Sequence, residues 1–342
     1  MLRQLALLTA GLAVLAAAAG PPAAAAGPGR PVHVTKDLAY APAEPAGTQG
    51  HLLDLYVPRT GRPAPLVVFT HGSGWLADNG RDGADRVAAR LNPHGYAVAG
   101  VAVRASSQAR FPAQLHDIKA AIRWLRAHAA EYHLDPDRIA VMGESSGGWA
   151  TTMAAVTGDV PELEGDVGMT GPSSAVQAAV PFYAPSDLLQ MDAHMLDGCA
   201  PFNEAFGLTA CHADPKSPES LLLGCPLPEC APEKAAAANP LSYMGDRRPV
   251  PPFLILHGRQ DTFVPYHQSR LLYDALAAAG AEARFLTFPH AAHGTYLEML
   301  SDPATRRDAR EESTRAGHRT KPRPATPTWG TVVSFLDRHL RS

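Results

Sequence analysis

Ser145 has glycine two residues to either side, in Gly143-Glu144-Ser145-Ser146-Gly147, and a serine so placed can serve as a nucleophile. Its hydroxyl is weakly nucleophilic at neutral pH. Acyl transfer therefore needs a base for the proton, a group that orients the base, and N–H donors for the developing oxyanion. Each has a candidate. Acid and histidine are expected after the serine, in that order, and the chain offers Asp261 in His257-Gly258-Arg259-Gln260-Asp261 and His293 in Pro289-His290-Ala291-Ala292-His293-Gly294. The amides of Ser73 and Gly74, in His71-Gly72-Ser73-Gly74-Trp75, and that of Ser146 are the expected oxyanion donors. His71 reads as structural, orienting its loop.

Each choice has a competitor. His290 shares a loop with His293, but His293 directly precedes Gly294. Asp187 could supply the acid, yet Pro185-Ser186-Asp187 reads more simply as a turn and helix cap. The His290/His293 pair has no neighbouring acidic or cysteine ligands and makes a poor metal site. His128 and His133 read as surface helix residues.

These groups need a scaffold that brings them to one edge. From Leu66 onward, short apolar runs alternate with helical periods, as in a mostly parallel sheet covered by helices on both faces, an α/β architecture. The strands read as Leu66 to Phe69, Ala97 to Val103, Ile139 to Met142, Ala178 to Val180, Phe253 to Leu256 and Arg284 to Phe288. Ser145 and the loops of His71, Asp261 and His293 each follow one of them, so all fall at carboxyl ends of strands. Gly143 and Gly147 fit a strained turn into a closely packed helix. Leu115, Ile118, Ile122 and Leu125 mark one covering helix, and Leu271, Leu272, Ala275, Leu276 and Ala279 another that stops at Gly280. Leu52 to Val57 reads as an edge strand, and Trp329, Val333, Leu336 and Leu340 as a closing helix.

Two segments break the rhythm. From about Leu188 to Pro240 the chain is rich in proline and holds all four cysteines, and it reads as a cap inserted above the sheet. Residues 301 to 327 are charged and poor in apolar side chains, and they read as a solvated or flexible loop. Local pairing, Cys199 with Cys211 and Cys225 with Cys230, is the economical choice among three connectivities. The spacing matches no paired Cys-x-x-Cys zinc pattern.

The first 26 residues follow the plan of a secretory signal: Arg3, an apolar run from Leu5 to Ala19, then small residues up to Ala26. Cleavage is expected after Ala26, with Ala19 the alternative. A membrane anchor would want about 20 apolar residues, and this run is broken at Gly20-Pro21-Pro22. The remainder, 31 to 342, reads as a single catalytic domain. Of the 342 residues, 46% are hydrophobic and 18% charged, with a formal net charge of -3 and no basic stripe, which argues against nucleic acid or an anionic membrane as partner.

With these motifs in place, the chain resembles the α/β-hydrolase esterases that carry a His-Gly-Gly-Gly-Trp oxyanion loop, in the bacterial branch related to acetyl, feruloyl and xylan-decorating esterases (BD-FAE-like). The resemblance rests on His71 to Trp75, Phe111-Pro112-Ala113-Gln114-Leu115-His116-Asp117, Gly143 to Gly148, Ser217-Pro218-Glu219-Ser220, Ala238-Asn239-Pro240, and Pro252 to Pro265. It implies carboxylic-ester hydrolysis through an acyl-enzyme, without a cofactor; together with the signal segment, the expectation is a secreted carboxylesterase acting on a small ester or an acylated plant-polymer fragment. Two departures stand out. Ser73 occupies a usual glycine position, and a positive φ there would strain the loop; the cap cysteines look like an extracellular addition, with Cys225 near a Gly-Gly site of relatives. A prolyl-oligopeptidase-like peptidase is a second reading, weakened by the lack of a β-rich propeller segment. A lipase lacks its long greasy lid here, and an inactive binding protein of the same fold would be expected to have lost a member of the set.

Overall fold

The computed structural model describes residues 31–158, 160–245 and 249–341; the expected signal peptide lies outside them. The strands are β1 (Val32–Ala39), β2 (Leu52–Pro58), β3 (Ala64–Thr70), β4 (Ala97–Val101), β5 (Leu134–Glu144), β6 (Ala178–Phe182), β7 (Phe253–Gly258), β8 (Ala283–Phe288), β9 (Arg310–Arg315), β10 (His318–Arg319) and β11 (Arg323–Pro324). They form one sheet in the order β1-β2-β4-β3-β5-β6-β7-β8-β9-β10, with β11 also on β9. From β4 to β8 all pairing is parallel, and both flanks are antiparallel.

The helices are α1 (Ala84–Leu91), α2 (Ala113–Ala127), α3 (Ser146–Val156), α4 (Ala200–Phe206), α5 (Pro218–Leu223), α6 (Pro232–Ala237), α7 (His267–Ala278), α8 (Glu298–Ser301) and α9 (Trp329–Leu340). Successive strand residues point to opposite faces, so Leu66 and Val68 pack with α2, α3 and α7, while Val67 and Phe69 pack with α1 and α9. Both faces are covered, which explains why the central strands read as unbroken apolar runs rather than alternating ones. Each such side chain contributes roughly 1.5–3 kcal/mol by leaving water.

Two expectations are corrected. Leu52 to Val57 is not an edge strand, because β1 pairs outside it. Residues 301 to 327 are not simply a solvated loop: β9 pairs with β8, and Glu312 and Thr314 are buried within it. On its inner side Arg270 of α7 reaches Glu312, with Nη1 3.0 Å from Oε2, so part of the charge that suggested solvation is paired with the covering helix.

The insertion from Leu188 to Pro240 forms short helices, α4 to α6 among them, over the carboxyl edge. Its two ends are tied together, since the Leu188 N–H donates to Asn239 Oδ1 at 3.1 Å. Trp149 Nε1 of α3 donates to the Ala238 carbonyl at 2.7 Å and anchors the far end to the core. Cys199 is bonded to Cys211 and Cys225 to Cys230, the local pairs.

Candidate active site

The β5 strand ends at Glu144, and the next residue reverses the chain into α3. Ser145 holds φ 55° and ψ -126°, a conformation costly for a side-chain-bearing residue, which lifts the hydroxyl clear of the sheet. The turn is possible only because its neighbours are bare. A Cβ on Gly143 would strike the Gly147 backbone, and one on Gly147 would strike the carbonyl of Thr70 in β3.

β7 and β8 deliver the other two groups. His293 Nε2 lies 3.1 Å from Ser145 Oγ, and its Nδ1 lies 2.9 Å from Asp261 Oδ2 and 3.1 Å from Oδ1. A carboxylate can only accept, so Nδ1 carries the proton and Nε2 is left to accept one from Ser145. Asp261 is fully buried, and its Oδ1 accepts the Phe263 and Val264 amides at 2.9 and 2.8 Å. Burial alone would push its carboxyl up. The charge of His293 and the contacts of His257 and His293 outweigh burial and hold Asp261 well below the usual carboxylate range. For His293, burial pulls downward, but the Asp261 charge and hydrogen bond, with the more distant Glu144, leave it above the ordinary histidine value.

Sequence reading missed four residues that shape this group. His257 is fully buried; its Nε2 donates to the Val264 carbonyl at 3.0 Å and stands 3.4 Å from Asp261 Oδ2, while Nδ1 accepts from Ser269 Oγ at 2.7 Å. It buttresses the 261–264 turn. Phe263 stacks on the His293 ring at 5.1 Å and 14°, and Tyr183 lies 4.7 Å from it on another side. Glu144, 3% exposed, accepts the Gly72 amide at 2.5 Å, and its Oε1 lies 2.6 Å from His71 Nδ1. That hydrogen bond is the main cause of an imidazole held above its ordinary value at His71. The residue before Ser145 therefore binds the loop that faces it, and the expected structural part for His71 has a partner.

The loop after β3 is built to approach the serine. Gly72 admits no side chain, since a Cβ there would stand 2.5 Å from the Ser145 Cβ. Ser73 does not carry positive φ; Gly74 at 59° and Trp75 at 57° do, so serine in the usual glycine position is not strained in this respect. Its amide differs from expectation in another way. Ser73 N–H donates to Ser146 Oγ at 2.9 Å and so ties the loop to α3 instead of standing open. The Gly74 N–H has no acceptor among the described residues, and Ser146, as first residue of α3, has no helical partner for its own. Two amides thus remain for an oxyanion, at the positive end of a helix.

The competitors fall elsewhere. Asp187 caps a helical turn, accepting from Leu189 N at 3.1 Å, and His290 Nε2 sits 3.2 Å from exposed Asp308. His128 stacks on Trp124. Among the described residues, Asp192, Cys211 and His212 come close enough to share a metal, but the Cys211 sulfur is in a disulfide and the Asp192 carboxylate accepts the amides of His212 and Ala213.

A cavity of about 270 Å³ opens over Ser145, bounded by the His71–Trp75 loop, His293, Phe263 and the cap residues Phe202, Phe206 and Glu219. A larger hollow of about 490 Å³ lies beside α5 and holds neither Ser145 nor His293.

The BD-FAE family profile matches residues 53–276. The chain belongs to the BD-FAE family. Over 263 residues it is 31% identical to Esterase LipQ of Mycobacterium tuberculosis, covering 76% of this chain and 56% of that protein. Over 213 residues it is 30% identical to the probable carboxylic ester hydrolase LipM of the same organism, covering 62% and 45%. The chain thus spans about half the length of these relatives. Among solved structures, a truncated carbohydrate esterase from gut microbiota matches with TM-score 0.65 and 30% identity, over 77% of this chain and 89% of that one. A bifunctional GH43-CE protein of Bacteroides eggerthii matches with TM-score 0.66 and 34% identity, over 77% and 36%. The fold is that of the α/β-hydrolase esterases.

Proposed function

We propose that this BD-FAE member is a secreted serine carboxylesterase that hydrolyses small or sugar-linked carboxylic esters through an acyl-enzyme on Ser145. The observation that carries the reading is the unbroken contact from Asp261 through His293 to Ser145, at 2.9 and 3.1 Å, in a cavity open to a small ester. The named esterases among its relatives and the carbohydrate esterase structure support the reaction class.

The chemistry follows from the geometry. Ser145 Oγ attacks the ester carbonyl carbon as His293 Nε2 takes its proton, and Asp261 stabilises the imidazolium that results. The carbonyl oxygen becomes an oxyanion and is received by the Gly74 and Ser146 amides, each worth about 3–4 kcal/mol in such a site. Collapse breaks the bond to the alcohol oxygen, which leaves with the proton from Nε2. Water then attacks the acyl-serine by the same path, and the acid departs. No cofactor enters these steps. The basic leader at 1–26 and the two disulfides of the cap support export.

The purified protein is expected to hydrolyse p-nitrophenyl acetate, and Ser145→Ala to lose that activity. A variant that keeps its rate refutes the assignment.

A further inference from the structure

The cap side of the cavity is apolar, with Phe202, Phe206 and Pro218 facing the same space as Phe263, apart from one residue. Glu219, the second residue of α5, lines the same space and is 3% exposed. Taking a carboxylate out of water costs several kcal/mol unless a partner offsets it, and a plain alkyl or aryl ester gains nothing from its presence. The partner stands behind it: His212 Nδ1 lies 2.9 Å from Glu219 Oε2, and the imidazole is 1% exposed. The segment that carries His212 is fixed twice, by the Cys199–Cys211 bridge and by Asp192 Oδ1, which accepts the His212 amide at 2.9 Å. Burial pulls the imidazole down, yet the charge and hydrogen bond of Glu219 outweigh it and leave His212 above its ordinary value. Neither residue takes a step in the hydrolysis described above.

We propose that Glu219 is a specificity-determining residue whose carboxylate accepts a hydrogen bond from a hydroxyl on the alcohol part of the bound ester, so that the site selects partly acylated sugars over plain alkyl esters. The inference rests on the esterase reading of the same cavity. Oε2 faces His212 at 2.9 Å, and Oε1 receives no hydrogen bond from the described residues, so Oε1 can accept one. A hydroxyl is the fitting ligand rather than a cation. Glu219 and His212 together form a nearly neutral pair, which attracts a positive charge weakly but still presents a lone pair. Acetyl groups carry no hydroxyl, which places the donor on the alcohol side.

The test compares kcat/KM for an O-acetyl sugar with free neighbouring hydroxyls against the same acetate with those hydroxyls methylated, using the full protein. A hydrogen bond to an ionised acceptor predicts a preference of about tenfold for the free hydroxyls. Glu219→Gln lowers that ratio at least fivefold, because the neutral amide is a weaker acceptor. If Glu219→Gln does not fold, Glu219→Asp keeps the charge against His212, withdraws the oxygen by one methylene, and lowers the ratio likewise. A wild-type ratio near one, an unchanged ratio in a folded variant, or a stronger preference for a trimethylammonium-bearing acetate overturns the proposal. Wild-type protein that cleaves p-nitrophenyl acetate with a ratio of one removes only Glu219 from the account. Protein inactive on all these esters removes the esterase reading, and this inference with it.

Discussion

Replacing Glu144 by glutamine tests whether the residue before the nucleophile organises the oxyanion loop. Its carboxylate holds the Gly72 amide at 2.5 Å and lies 2.6 Å from His71 Nδ1, both contacts involving a charged group and shielded from water. Hydrogen bonds to charged groups contribute about 1.5–3 kcal/mol each, against about 1 kcal/mol for neutral ones. Glutamine can still accept from Gly72, but its amide nitrogen then meets a His71 that has lost the reason to be protonated. One contact weakens and the other is lost, roughly 2–3 kcal/mol in all. Part of this appears as stability, and the rest as displacement of the Gly74 amide two residues on, where a full oxyanion donor is worth about 3–4 kcal/mol. With each 1.4 kcal/mol worth a factor of ten, kcat on p-nitrophenyl acetate should fall about 10- to 100-fold, with KM changing little. Steady-state kinetics with a thermal melt in parallel decides it. A kcat within twofold of wild type, in a variant whose melting temperature has dropped, shows that Glu144 supports the fold and not the oxyanion loop.

Other perturbations have defined outcomes. Because Asp261 and, more weakly, Glu144 hold His293 above its ordinary value, kcat/KM should rise with pH along a limb whose midpoint lies above 6.5, as the imidazole loses its proton and becomes the base. Asp261→Asn should lower kcat by about 10³- to 10⁴-fold and move that limb to lower pH, and a limb that stays in place refutes the pairing. For stability the sign reverses. Asp261 is held below the usual carboxylate value, so what it contributes is present above that value and lost only as pH falls through its depressed one. Removing the Cys199–Cys211 bridge by a double alanine substitution opens a 12-residue separation and should cost about 2–3 kcal/mol on the chain-entropy account. It should also raise KM, since Phe202 and His212 lie within or beside that loop; denaturant melts and kinetics check both, and an unchanged KM detaches the cap from substrate binding.

That Ser145, Asp261 and His293 would meet was legible because each lies in the segment after an apolar strand, and a parallel sheet sends all such ends to one edge. The glycines around Ser145 were legible for a related reason: the turn leaves no room there. Glu144, His257 and Phe263 were not legible, since a polar or aromatic side chain beside a motif shows nothing of its partner until β3, β5, β7 and β8 lie side by side. The flanks were missed for a different cause. β1 is exposed along most of its length, with Val32 and Val34 at 40% and 46%, and so has no buried apolar run to mark it. In β9 the inward positions are Glu312, paired with Arg270 of α7, and Thr314, both polar instead of apolar, and hydropathy therefore reads the strand as loop. The Ser73 amide was expected to be an open donor from its place in the His71–Trp75 motif, whereas the Ser146 hydroxyl, a side chain and not a backbone feature, takes it up.

The most direct measurement is to trap the covalent intermediate. The full protein is treated with a small phosphonate ester that stops at the tetrahedral stage, digested, and mapped by mass spectrometry. A single adduct on the peptide carrying Gly143 to Gly148, assigned to Ser145 and formed in step with loss of p-nitrophenyl acetate hydrolysis, is the expected result. Loss of activity with the adduct on another residue, Ser146 included, or full activity after stoichiometric labelling of Ser145, contradicts the account.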